Sequence, residues 1–177
     1  MAVVSVVPTR ELAEGALTEI RHVLEVAFAG RFDGTDWEHT VGGLHVLACD
    51  GGELVAHAAI VPRQLVVGER RLATGYVEGV ATRPAARGRG YASRVMQAAG
   101  EAIRAEHALG ALSADVPELY ARLGWEHWLG PTFVDAPGGR TRTPEDDGGV
   151  MVLRTARTGE LDLTAGITCD WRAGEVW

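Results

Sequence analysis

Tyr76-Val-Glu-Gly-Val-Ala-Thr-Arg-Pro-Ala-Ala-Arg-Gly-Arg-Gly-Tyr-Ala92 reads as a short apolar strand, a Gly/Arg turn and the start of a helix. Pro84 stops the strand. Arg87, Gly88, Arg89 and Gly90 then set small residues, open backbone N–H groups and positive charge where the helix begins. The first amides of a helix lack intrahelical partners, and their dipoles favour an anion such as a pyrophosphate. The stretch is neither a GxxxxGK[ST] loop nor a GxGxxG fingerprint. Glu78 lies inside the strand that leads to the turn. An anion cradle beside a strand-borne acid is the layout of an enzyme that uses a phosphate-bearing cofactor.

The chain around this stretch has 177 residues, enough for one packed domain spanning 1–177. Its 46% apolar and 23% charged residues are those of an ordinary globular protein. No apolar run approaches the roughly 20 residues of a membrane span, and the N-terminal segment lacks the basic region of a secretory signal. A cytosolic protein without a membrane partner is expected. Cys49 and Cys169 are isolated and predict neither a disulfide framework nor a zinc site. Every basic residue is Arg, so no Lys can form a Schiff base. A net charge of −7 argues against a nucleic-acid partner and suits a cationic one.

Periodicity predicts a strand over 3–7, a helix over 11–29 and a Gly/Asp loop over 30–43. An antiparallel meander follows over 44–49, 54–62 and 64–67, with Asp50-Gly-Gly52 as a hairpin turn. Further strands are expected over 72–81, 109–113 and 125–128, and helices over 88–107 and 117–123. A long Gly/Pro/Asp loop over 131–149 precedes closing strands at 150–153 and 169–171. The class is mixed α/β with a largely antiparallel sheet flanked by helices. His39, His45 and His57 lack metal-ligand spacing and read as ordinary core or surface residues, so no metal is expected.

Arg87-Gly-Arg-Gly-Tyr-Ala92 fits the (Q/R)xxGx(G/A) loop of the GNAT superfamily of acetyl-CoA-dependent N-acetyltransferases. Leu119-Tyr-Ala-Arg-Leu-Gly-Trp125 resembles that superfamily's second signature. Further blocks resemble the aminoglycoside 2′-N-acetyltransferases: Ala27-Phe-Ala-Gly30, Thr35-Asp-Trp-Glu-His-Thr40, Gly42-Gly-Leu-His45, Gly75-Tyr-Val-Glu-Gly-Val80, Leu109-Gly-Ala-Leu-Ser113, Thr141-Arg-Thr-Pro144 and Cys169-Asp-Trp-Arg-Ala-Gly-Glu-Val-Trp177. They span nearly the whole chain. The resemblance implies a GNAT fold, acetyl-CoA as co-substrate, a homodimer and a role in antibiotic resistance.

Alone, Glu78 would be a strand carboxylate facing solvent, but Gly79 beside it marks a bulge or a close backbone approach. By resemblance, Val80, Ala81 and Thr82 pair with the pantetheine arm, while Arg87, Gly88, Arg89, Gly90, Tyr91 and Ala92 hold the pyrophosphate. An ammonium cannot attack a thioester, and an amine with a pKa of about 8 costs about 1.4 kcal/mol to deprotonate at pH 7. Glu78, directly or through a water, is the candidate base. Tyr120 is the candidate acid for the departing thiolate, and the Val80 N–H is a candidate donor to the oxyanion. The alternative is a Tyr120 that packs on the core with its hydroxyl at the surface.

The acids Asp33, Asp36 and Glu38, Glu145-Asp-Asp147, Asp170 and Glu175 are singly solvated loop carboxylates, and together they suit a polyammonium acceptor. By resemblance, Asp36, Ser113, Asp146, Glu175 and the terminal carboxylate of Trp177 hold the aminoglycoside, with Gly79 and Glu145 beside them. Arg31 departs from the acid expected after the Ala-Phe-Ala-Gly block, which opens the acceptor range. A polyamine, a cell-wall amino sugar or an atypical aminoglycoside such as kasugamycin is the alternative substrate. A non-catalytic acyl-CoA-binding or drug-binding module is the alternative of a different class.

Overall fold

The computed structural model describes residues 2–177. Strands are β1 (Val3–Pro8), β2 (Leu44–Asp50), β3 (Glu53–Val67), β4 (Arg70–Thr82), β5 (Leu109–Ser113), β6 (Glu126–His127), β7 (Thr132–Ala136), β8 (Gly139–Arg142), β9 (Val150–Arg154) and β10 (Ile167–Asp170). Helices are α1 (Glu14–Ala27), α2 (Gly34–Thr40), α3 (Tyr91–Glu106) and α4 (Pro117–Ala121). The chain forms two compact units, one from residues 1–61 and 77–102, the other from 62–76 and 103–177.

In the first unit, β1 pairs antiparallel with β2, and β2 with the first half of β3. Ile20, Val23 and Leu24 of α1 recur at helical spacing and bury against Leu54 and Ala81, with Phe28 and Trp37 packed alongside. The end of α1 is held by the Gly30 N–H donating to Glu25 O, with Ala29 and Gly30 both left-handed. The segment after it, expected as a loop, contains α2. Asp33 Oδ1 accepts from the N–H groups of Thr35 and Asp36, and Asp36 Oδ2 accepts from the Asp33 N–H. This capping box uses Asp where Ser/Thr and Glu are usual, so the acids read as loop residues.

In the second unit the strand order is β6-β9-β5-β4-β3-β10-β7-β8. β4–β5 and β10–β7 are parallel, and β5–β9, β6–β9, β10–β3 and β7–β8 are antiparallel. The fold is therefore mixed α/β, as expected; beyond α2 and shifts of a few residues at element ends, two segments differ. β3 runs unbroken through Pro62. β2 pairs with it only up to Ile60 and β10 only from Leu65, so the missing proline N–H falls between partners. The expected loop over 131–149 holds the β7–β8 hairpin and a single 3-10 turn at Pro144–Asp146. Its Pro137-Gly138 turn masked the short strands on either side.

Candidate active site

The first unit carries Glu78 and the anion loop. Gly79 interrupts β4 with φ +56°. A Cβ there would lie 2.9 Å from Thr40 Cγ2 and 3.3 Å from Leu24 Cδ2, so the position demands glycine on two counts. Glu78 and Val80 flank it, both half-buried. Ala81 is buried in the α1 core, and Thr82 Oγ1 is buried without a hydrogen-bond partner.

Beyond Pro84, Gly88 (φ +77°) and Gly90 (φ +79°) turn the chain into α3, and nothing lies within 4 Å of either missing Cβ. α3 begins at Tyr91, and the Arg94 N–H donates back to Gly90 O. The open space and the leading amides fit a pyrophosphate. The arginines are committed to the protein. Arg87 donates to Ala27 O at 3.0 Å, and Arg89 pairs with Asp50 at 2.9 Å. The Tyr91 hydroxyl donates to the same Asp50 oxygen at 2.6 Å, which holds the Asp50 carboxyl below its ordinary range. Asp50, read from sequence only as a turn residue, thus braces the helix start.

Histidines that looked unremarkable form a buried chain on the other side of Gly79. Thr9 Oγ1 lies 3.0 Å from His45 Nε2, His45 Nδ1 lies 2.9 Å from His57 Nε2, and His57 Nδ1 lies 2.8 Å from Gly79 O. Burial pulls His45 down to about 4 and His57 to about 3, so both are neutral at pH 7. On unfolding both return to about 6.5. Below that pH the unfolded chain binds protons that the folded one refuses. Their contribution to stability is therefore complete above pH 6.5 and falls as pH drops toward the folded values. At about 1.4 kcal/mol per unit and group, a loss of roughly 2–4 kcal/mol is expected between pH 7 and pH 5. Urea titrations at the two pH values measure it, and equal midpoints would refute it.

In the second unit, α4 ends in a turn closed by Tyr120 O, which accepts from the N–H groups of Leu123 and Trp125, with Gly124 left-handed. The Tyr120 ring meets Trp125 edge-on at 6.4 Å. Burial, with Asp115 adding to it, pushes its phenol up, so it stays protonated at neutral pH. Among the acids, Asp146 is half-buried; desolvation and the charges of Glu145, Glu175 and Asp147 raise its pKa against a Thr143 hydrogen bond. Ser113 lies beside the same turn, 3.6 Å from where a Cβ on Gly149 would sit. The structure thus brings together Ser113, Glu145, Asp146 and Glu175. Asp147 is spent elsewhere: its pairing with Arg142 and its bonds from Thr132 hold it down at about 2. Asp36, in the first unit, has one oxygen in the α2 cap.

Arg63, which the sequence reading passed over, anchors the C-terminal segment. Its side chain donates to Asp170 Oδ1 at 3.0 Å, Asp170 O at 2.6 Å and Val176 O at 2.6 Å, and stacks over Tyr76 at 4.8 Å. Trp177 is buried, its Nε1 donating to Thr143 Oγ1 at 3.1 Å. The one signal in the sequence was a lone arginine in an apolar strand. Among the described residues no group of His, Cys, Asp or Glu could hold a metal, and no helix is long and apolar enough to cross a membrane.

Residues 8–128 match the family described as acetyltransferase (GNAT) domain. The chain is 48% identical over 172 residues to the aminoglycoside 2′-N-acetyltransferase of Mycolicibacterium fortuitum, covering 95% of this chain and 86% of that protein. Among solved structures it resembles the GNAT family N-acetyltransferase YhbS of Escherichia coli in complex with CoA. That match has a TM-score of 0.68 and 19% identity, over 94% of this chain and 88% of the other. It also resembles a GNAT family acetyltransferase of Brucella melitensis in complex with acetyl-CoA (TM-score 0.63, 17% identity, 97% of both chains). It spans only 34% of the longer GCN5-related N-acetyltransferase of Kribbella flavida (TM-score 0.57, 25% identity, 73% of this chain). A left-handed glycine beside a strand acid, an open glycine loop capping a helix and these matches converge: the chain belongs to the GNAT acetyltransferase family, with the aminoglycoside 2′-N-acetyltransferases.

Proposed function

We propose that this protein transfers acetyl from acetyl-CoA to the 2′-amino group of an aminoglycoside, by direct attack in a ternary complex. The observation that carries this reading is the 48% identity over 95% of the chain, which reaches far beyond the cofactor loop. The residues 1–177 act as one GNAT domain, since the family match draws on segments of both compact units.

The open amides of Gly88 to Ala92 bind the pyrophosphate, with Arg87 and Arg89 supplying charge at the loop while bracing it. Val80, Ala81 and Thr82 align the pantetheine arm. Ser113, Glu145, Asp146, Glu175, Asp36 and Trp177 hold the acceptor, whose ammonium groups offset the desolvation and the neighbouring carboxylate charges that raise Asp146. Gly79 meets the acceptor through its backbone, since the space where a side chain would go is taken by Thr40 and Leu24. Glu78 takes the proton from the attacking amine, the Val80 N–H faces the charge growing on the thioester oxygen, and Tyr120, a protonated phenol, returns a proton to sulfur. Cytosolic location and a homodimer belong to the same proposal; light scattering on the eluted protein tests the latter.

Release of free CoA should be rapid with aminoglycosides bearing a 2′-amino group and near background with those bearing a 2′-hydroxyl. Equal rates with both would redirect the reading to another amine. The exposed Arg31 favours that second reading, a different cationic acceptor for the same chemistry. Release with a polyamine or kasugamycin but none with tobramycin would establish it.

A further inference from the structure

The chain Thr9–His45–His57–Gly79 has one possible direction. A carbonyl cannot donate, so the proton between His57 and Gly79 sits on His57 Nδ1. A neutral His57 then accepts at Nε2, which puts the His45 proton on Nδ1 and leaves His45 Nε2 to accept from the Thr9 hydroxyl. Gly43 O, 3.1 Å from the same hydroxyl, is already satisfied by the Thr9 N–H at 2.9 Å, whereas His45 Nε2 has no other donor. The Gly42 N–H, 3.1 Å from Thr9 Oγ1, donates to one of the hydroxyl's lone pairs. Both rings are fully buried, at 0% exposure. Every polar atom along the relay is satisfied, and all of them lie in the first unit.

The relay ends on the single peptide that the chemistry needs to aim. Gly79 O and the Val80 N–H belong to one planar unit, and no described peptide bond is cis, so the N–H points opposite to the carbonyl. Gly79, left-handed at φ +56°, has little intrinsic preference for one orientation of that plane. We infer that His57, held in its tautomer by His45 and Thr9, is a positioning residue that fixes the direction of the Val80 N–H by gripping Gly79 O. The inference rests on the proposed acetyl-transfer reading, in which that N–H faces the thioester oxygen.

Two substitutions separate positioning from mere packing. His57→Asn places an amide N–H where Nδ1 was and can still bond Gly79 O, while it loses His45. His57→Gln reaches His45 from the Nε2 position and abandons Gly79. Both discard the imidazole, so a packing role is disturbed in each. With both variants confirmed folded by urea titration, kcat should stay within about threefold of the parent in His57→Asn and drop roughly 10- to 100-fold in His57→Gln. KM for acetyl-CoA should change little in either, because a transition-state donor is what is misaimed. Any other pattern, including equal losses or no loss, overturns the inference. Imidazole ¹⁵N spectra of the full-length protein at pH 7 should show His45 and His57 both as Nδ1–H tautomers, and an Nε2–H His57 would also overturn it. Failure of the proposed reaction would appear differently, as absent CoA release in the unsubstituted protein.

Discussion

Glu78→Gln should lower kcat/KM by about 10²- to 10⁴-fold, the range a positioned general base contributes. The amide keeps the size and much of the hydrogen bonding of the carboxylate but cannot accept a proton from an ammonium. The deficit should widen as pH falls, because fewer acceptor amines are then neutral on their own, and narrow toward the amine's pKa. KM for acetyl-CoA should be unaffected, since the pantetheine and pyrophosphate contacts are assigned to residues 80–82 and 87–92 and none to the Glu78 side chain. Steady-state kinetics from pH 6 to pH 9 decide the matter. An unchanged profile in the variant would remove Glu78 from the base's role and leave attack to the fraction of amine already neutral in solution.

Gly79→Ala should be nearly as damaging, by a different route. A non-glycine residue in the left-handed region costs about 1–2 kcal/mol, and overpacking a filled core about 1–3 kcal/mol more. Neither neighbour yields easily. Thr40 is 1% exposed, with its hydroxyl bonded to Trp37 O at 2.8 Å, and Leu24 is fully buried. A total loss of about 2–5 kcal/mol in urea unfolding is expected, with kcat down at least tenfold as the Gly79 carbonyl shifts off His57. Gly88→Ala is the internal comparison: φ is +77°, but the space is empty, so only the conformational cost applies. That variant should instead raise KM for acetyl-CoA. Equal stability losses in the two variants would show that crowding at Gly79 contributes nothing.

The two positions also show where sequence reasoning reaches. Gly88 and Gly90 were legible because a turn into a helix is written in consecutive residues, and so were the strand before it and the amphipathic α1 and α3. Gly79 was flagged only as a break in a strand; that Thr40 and Leu24 crowd it could not be read from spacing. The acids split in the same way. Asp33 and Asp36 carried a local signal, three residues apart across the start of a short helix, which an acid-rich composition obscured. Which of Glu145, Asp146 and Asp147 stays open to a ligand was decided by Arg142 and Thr132 claiming Asp147.

The amino-acid order by itself determined the helix-capping glycine loop, the strand acid beside a glycine, the Tyr120 turn and the alternation of strands and helices. Each is governed by interactions within a few residues, where backbone stereochemistry and periodicity act directly. Tertiary structure alone decided that His45 and His57 become diagonal neighbours, since β2 and β3 pair His45 with Ala59 and Leu47 with His57. It also decided that Arg63 clamps Val176, 113 residues away. Such contacts depend on which strands become neighbours and in what register, and on burial that strips water from imidazoles and guanidinium alike; no local pattern in the chain encodes them.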